Sequence, residues 1–122
     1  MKKEEIRKLK ETGLCSIATV RPSKKPHLVL VNYVKESMKV YIRSGIKSVK
    51  VQNLLKNNWV ALLEQSGKRY VIVEGKAEII KRGKRFNEIK KFFDKKRPDL
   101  MQWETPGSVY IEITPRKVLT SP

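Results

Sequence analysis

Six short apolar runs, rich in β-branched and aromatic residues and each closed by turn signals, confine this chain to a small, mainly β architecture. They are LCSIATV (14–20), HLVLVNYV (27–34), MKVYI (38–42), WVALLEQ (59–65), RYVIVEGKAEII (69–80) and SVYIEIT (108–114). Valine, isoleucine and tyrosine suit a pleated, half-buried surface. The punctuation between runs is equally plain: RPSKKP with Pro22 and Pro26, KES, and SGK with Gly67. Gly75 interrupts the fifth run, which marks a bulge or a close backbone approach.

Three stretches change to helical spacing. Ile6 and Leu9 stand three apart in residues 2–11, a short amphipathic helix stopped near Gly13. Residues 47–57 place Val51, Leu54 and Leu55 on one face. From residue 83, Phe86, Ile89, Phe92 and Phe93 recur at helical spacing and stop before Pro98, with DLMQWETPG beyond as an irregular or single-turn segment. Six strands with helices at the start, in the middle and before the last strand predict an antiparallel sheet closed or nearly closed on itself. The expected fold is therefore a mainly β (α+β), six-stranded antiparallel β-barrel with a few short helices. It fills one domain over residues 1–122, without linker or repeat.

Charge narrows the function classes. Lys and Arg number 28 against 12 Asp and Glu, a formal net charge of +16. That field attracts polyanions such as nucleic acid, and equally phosphorylated cofactors and substrates. A single cysteine, Cys15, excludes an internal disulfide, and a single histidine, His27, excludes a histidine-based metal cluster or a triad with a second histidine, so no metal site is expected. No apolar run approaches the ~18 residues that span a bilayer. The opening MKKEEIRKLKE carries no hydrophobic leader core. The expectation is a cytoplasmic protein that does not enter membranes.

The stretch IRSGIKSVKVQNL (42–54) raises the sharpest chemical question. Ser48 stands where a helix N-cap belongs, and a helix start presents unpaired N–H donors with partial positive charge. Lys50 in the first turn opposes the helix dipole unless something negative is bound. Arg43 and Lys47 flank the approach, and Gly45 offers a tight turn. Two readings follow: an anion site at the helix start, or a capped helix behind a solvated, lysine-rich loop.

Three stretches taken in order resemble the split-barrel flavin-binding family typified by pyridoxamine 5'-phosphate oxidase. They are LCSIATVRPSKKPHLVLVNYV, VYIRSGIKSVKVQNLLKNNWVALL and YVIVEGKAEII, and VYIEITPRKV is similar to the family's closing strand. The resemblance implies a split barrel, a homodimer, and FMN in a groove between the two barrels. It places Lys50 on the FMN phosphate with Ser48 beside it, and the backbone of Val29, Leu30 and Val31 along the ring and ribityl chain. It sets Tyr41 and Ile42 on the phosphate side and Tyr70 at a polar contact to the flavin.

Departures from the family pattern shape the expected activity. Val49 and Val31 stand where the oxidases carry arginine and lysine on the phosphate, so Lys47 or Arg43 would have to replace one of those charges. The segment whose arginine and histidine hold pyridoxamine phosphate has no counterpart in the 122 residues, so oxidation of that substrate is not expected. What the resemblance leaves is an FMN-binding oxidoreductase or reductase of open substrate with no assigned catalytic residue. A deazaflavin is the alternative cofactor, and a non-enzymatic barrel holding nucleic acid is the less favoured alternative. His27 reads as a strand-end residue that would otherwise flank the cofactor, and Cys15 as buried packing. Trp59 and Trp103 fit core or dimer interface, with stacking on a flavin or substrate the other reading. The phenylalanines of 83–97 follow one helical face and are expected to pack on the barrel.

Overall fold

The computed structural model describes residues 3–122; Lys2, in the first expected helix, lies outside them. After a four-residue helix α1 (Lys3–Ile6), the strands are β1 (Thr12–Val20), β2 (Pro26–Glu36) and β3 (Lys39–Gly45). Helix α2 (Val49–Lys56) leads to β4 (Trp59–Ser66) and β5 (Arg69–Ile80). Helix α3 (Lys84–Lys96), a 3₁₀ segment (Pro98–Trp103) and β6 (Ser108–Thr120) complete the chain. The strands close in the order β1-β2-β3-β6-β5-β4, every neighbouring pair antiparallel. The expected six-stranded barrel is the observed fold.

Alternation along the strands fills the barrel. Cys15 and Ile17 of β1, Val31 and Tyr33 of β2, Ile42 of β3, Leu62 of β4, Val73 of β5 and Ile111 of β6 belong to one buried cluster. Ile6 and Leu9 join it from the N-terminal segment, and Val51 and Leu54 from α2, so both ends of the barrel are plugged. A second cluster lies outside the barrel, where Ile89 and Phe93 of α3 cover Val34, Tyr41, Ile80 and Tyr110, with Phe86 and Phe92 packed beside them. The aromatic face of the basic helix packs on the barrel, as its spacing predicts.

Three local differences have physical causes. The first helix stops at Ile6 because Lys35, on the inward side of β2, donates to the carbonyls of Ile6, Arg7 and Leu9 at 3.3, 3.4 and 2.5 Å. The chain then folds under while Ile6 and Leu9 stay buried. Leu55 is 46% exposed; it is Asn53 that turns inward, donating to Thr19 at 3.0 Å. Met38, expected in β3, instead forms the β2–β3 turn with Ser37, both at positive φ (66° and 49°).

The last strand runs six residues past its expected end at Thr114, straight through Pro115. Pro115 sits opposite Gly75, where the β5–β6 register shifts between Glu74 and Gly75. A bulge tolerates a residue that cannot donate to the ladder. A Cβ on Gly75 would lie 2.3 Å from the Thr114 carbonyl oxygen, so only glycine lets the two strands approach. Gly45, by contrast, has no positive φ and open space around its Cβ position, so the tight-turn role expected of it is not used. Accordingly Gly75→Ala should lose about 1–3 kcal/mol of stability in denaturant unfolding, whereas Gly45→Ala should leave the midpoint unchanged.

Candidate functional site

The pairing of β2 with β3 covers three residue pairs, from Glu36↔Lys39 to Val34↔Tyr41, and then ends. Beyond that point β2 continues along β1 as far as Val20↔Pro26, and β3 continues along β6 as far as Gly45↔Ser108. The barrel is therefore split on one side. One backbone edge of β2 runs without a ladder partner, and its N–H and C=O groups face the opening.

A cleft of about 350 Å³ occupies the split. Val31 and Asn32 of β2 form one side, and Arg43, Ser44 and Gly45 of β3 the other. Lys50 of α2, Ser108 of β6, Phe93 of α3, and Leu100, Trp103 and Thr105 complete the lining. The cleft combines a hydroxyl-rich, cationic set with an apolar, aromatic set, a composition suited to a ligand with an anionic group and a planar body.

The cationic set is built by the start of α2. Ser48 is its N-cap, and its Oγ accepts from the Val51 N–H at 3.4 Å and lies 3.0 Å from Ser44 Oγ. The first helical bond runs from Gln52 N–H to the Ser48 carbonyl at 3.0 Å. The N–H groups of Val49 and Lys50 therefore have no partner among the described residues, and no acid stands in the first turn. Lys50 is half-buried and makes no hydrogen bond or ion pair among the described residues. Burial holds its ammonium below the ordinary lysine range. A half-buried cation without a counter-charge among the described residues, beside two unpaired amides and two hydroxyls, is a donor set that suits an anion.

Arg43 has a different status. Its guanidinium bonds Asp94 at 2.9 Å, stands 3.8 Å from Glu104, donates to the Leu100 carbonyl, and stacks over the Phe93 ring at 5.0 Å. The side chain is only 6% exposed. Two carboxylates already neutralise it, so it acts as a strut between β3, α3 and the 3₁₀ segment.

Of the residues expected from the sequence, Lys50, Arg43 and Val31 line the cleft, and Ser48 caps the helix behind it. Val29 and Leu30 adjoin it along β2: Val29 packs on the barrel core and Leu30 points outward, so each offers only backbone to the split. Lys47 is exposed on the approach. Tyr41 and Ile42 lie elsewhere. Tyr41 donates to Glu112 at 2.9 Å under α3, and Ile42 is in the barrel interior, so the β3 residues that reach the cleft are 43–45. Tyr70 lines a separate surface hollow with Lys68, Arg69 and Thr120 at the opposite end of the barrel.

His27 and Trp59 do not line the cleft, and Nδ1 of His27 is buried without a hydrogen-bond partner in the described chain. Cys15 is buried, and desolvation with the nearby Glu64 carboxylate pushes its thiol up to about 12, which leaves it unreactive packing. Among the described residues no group of His, Cys, Asp and Glu forms a metal site. No described helix is long and apolar enough to cross a membrane. Sequence reasoning missed Asn32, Ser44, Thr105 and Ser108. The available signal was their place as short polar residues within or just outside strand ends, and it becomes specific only once the split is known.

A pyridoxamine 5'-phosphate oxidase family model matches residues 2–121. The chain belongs to that family. No curated protein sequence matches it. Among solved structures it is similar to General Stress Protein 26 from Bacillus anthracis, at 26% identity and a TM-score of 0.73 over 97% of this chain and 92% of that one. A pyridoxamine 5'-phosphate oxidase-related, FMN binding protein from Nostoc punctiforme aligns at 11% identity and a TM-score of 0.71, covering 96% and 78% of the two chains. A protein named F420 Reductase aligns at 20% identity and a TM-score of 0.69, covering 87% and 88%. At these last two identities the likeness is one of fold.

The unpaired Lys50 has a consequence for stability. Its folded-state pKa is lowered, so the protonated form is penalised by folding, fully so at neutral pH, and the penalty fades as pH rises through that folded value. Lys50→Gln should therefore unfold at a temperature equal to or above wild type at pH 7 without ligand, read by calorimetry, and this advantage should shrink toward pH 10.

Proposed function

We propose that this protein is an FMN-binding, oxidoreductase-like homodimer of its family, with the cofactor held in the cleft at the junction of the two copies. The observation that carries this reading is Lys50, a half-buried ammonium without counter-charge among the described residues, set at the capped start of α2 beside the open edge of β2. The phosphate fits that start: Lys50, the Val49 and Lys50 amides, and the Ser44 and Ser48 hydroxyls supply charge and donors, with Lys47 on the approach. The polar edge of the flavin ring fits the unpaired backbone of residues 29–32. When bound, FMN supplies hydride or electron transfer, and the chain's residues bind it, orient it and shield it from water. The family relationship and the FMN-binding neighbour support the same cofactor. A deazaflavin is the alternative, supported by the neighbour named F420 Reductase.

The barrel's outer face supports the dimer. Leu14, Leu28 and Leu30 are 59%, 67% and 72% exposed, and Leu63 lies in the same row across β1. Such a contiguous apolar patch beside the cleft is what a second copy covers. In that arrangement Tyr70 meets the cofactor from the second barrel, since it lines no part of the cleft of its own.

A second reading has its own observation. The connections 21–25, 46–58 and 81–83, all at the cleft end of the barrel, hold Arg21, Lys24, Lys25, Lys47, Lys50, Lys56, Lys81 and Arg82 and no acid. They carry half of the +16 net charge, and a nucleic-acid backbone is the polyanion such a surface fits.

Visible spectra of freshly purified protein, before and after adding FMN, separate these readings. FMN should give bands near about 370 and 450 nm and a deazaflavin one near about 420 nm, on a protein that sediments as a dimer. Lys50→Gln should weaken FMN binding by about tenfold or more. A colourless monomer that takes up neither cofactor, yet binds oligonucleotide with a steep salt dependence, would replace the flavin reading with the second one.

A further inference from the structure

Lys50 belongs to the cationic end of the cleft, but nothing so far accounts for Trp103. Its side chain is 71% exposed although it lines the cleft, and every residue of the Pro98–Trp103 segment is at least partly exposed. The backbone of that segment is nevertheless firmly tied. Arg97 grips Asp99 at 3.0 and 2.8 Å, the Leu100 N–H bonds Arg97 at 3.0 Å, and Arg43 donates to the Leu100 carbonyl from β3. Just beyond, Glu104 donates its N–H to the Met101 carbonyl at 3.1 Å and accepts from Lys90 at 2.7 and 2.9 Å. A segment pinned by charge to hold an indole largely in water is ordered for presentation, not for packing.

The chemistry of the cleft says what is presented to. Phe93, Leu100 and Trp103 are its apolar members, while Lys50, Ser44 and the β2 edge supply the polar ones. A planar ring whose rim hydrogen-bonds to backbone still exposes its two faces, and an aromatic wall covers one of them.

We propose that Trp103 is a ligand-binding residue, its indole packing against the planar ring of the flavin in the cleft, with Arg43 as the positioning residue that fixes the segment carrying it. This rests on the flavin reading above. It gives Arg43 a task other than phosphate binding, consistent with its two carboxylate partners.

The test uses the emission of bound FMN, because an indole in van der Waals contact darkens an excited flavin by electron transfer and a phenyl ring does not. FMN on the wild-type protein should be strongly quenched. Trp103→Phe should restore emission several-fold while keeping affinity near wild type, and Trp103→Ala should restore it and weaken binding roughly tenfold. Trp59→Phe, which alters a tryptophan outside the cleft, should change neither. Arg43→Lys should give emission between wild type and Trp103→Phe, with the Lys50-dependent affinity largely kept. If FMN binds but Trp103→Phe stays as dark as wild type, or Trp103→Ala binds as tightly, this inference fails and the flavin site stands. If the wild-type protein binds neither FMN nor a deazaflavin, the flavin reading fails and takes this inference with it.

Discussion

The early end of the β2–β3 ladder is the constraint on which the rest of the structure depends. Three residue pairs hold the two strands together, after which β2 follows β1 and β3 follows β6. Strand twist and curvature in a six-stranded barrel must be absorbed somewhere, and here the two strands part. That choice leaves one edge of β2 unpaired and opens a cleft between strands that otherwise belong to one closed sheet. Arg43 stands in the gap, tied to Asp94 and to the Leu100 carbonyl, so the far wall of the cleft is anchored to the barrel by a nearly buried ionic strut. Such a strut has little margin for loss of either partner, because the remaining charge would be left buried and unpaired.

Electrostatics divides the molecule along the barrel axis. At the end away from the cleft, charges are satisfied internally: Glu64 accepts from Tyr33 and pairs with Arg69 at 3.1 Å, and Lys35 and Lys96 both engage Glu11. At the cleft end the segments 21–25, 46–58 and 81–83 are basic and free of acids, Asp94 and Glu104 are taken up by Arg43 and Lys90, and Lys50 stays unpaired among the described residues. The excess of positive charge at the cleft end is a field suited to a negatively charged ligand. The unpaired lysine is the local form of that asymmetry.

Much of this was legible in the sequence, because local rules governed it. Strand alternation, the Ser48 cap, the aromatic face of α3 and the close approach at Gly75 each follow from residues near one another in the chain. What was not legible depends on partners far apart in sequence. Lys35 ends the first helix from across 26 to 29 residues, and Asp94 neutralises Arg43 from 51 residues away. Tyr41 and Ile42 lie outside the cleft for a simpler reason: a strand's two faces alternate, and the cleft begins only where β3 has left β2, at residues 43–45. The last strand was cut short at Pro115 because proline usually ends a strand, and the register shift opposite Gly75 that admits it is a property of the pair.

The central claim is that the start of α2 and the Lys50 ammonium hold a phosphate group. Calorimetric titration with FMN and with riboflavin, identical but for the phosphate, tests it most directly. FMN should bind about 10- to 100-fold more tightly, and Lys50→Gln should collapse the difference. Equal affinities for the two flavins in the wild-type protein would contradict it.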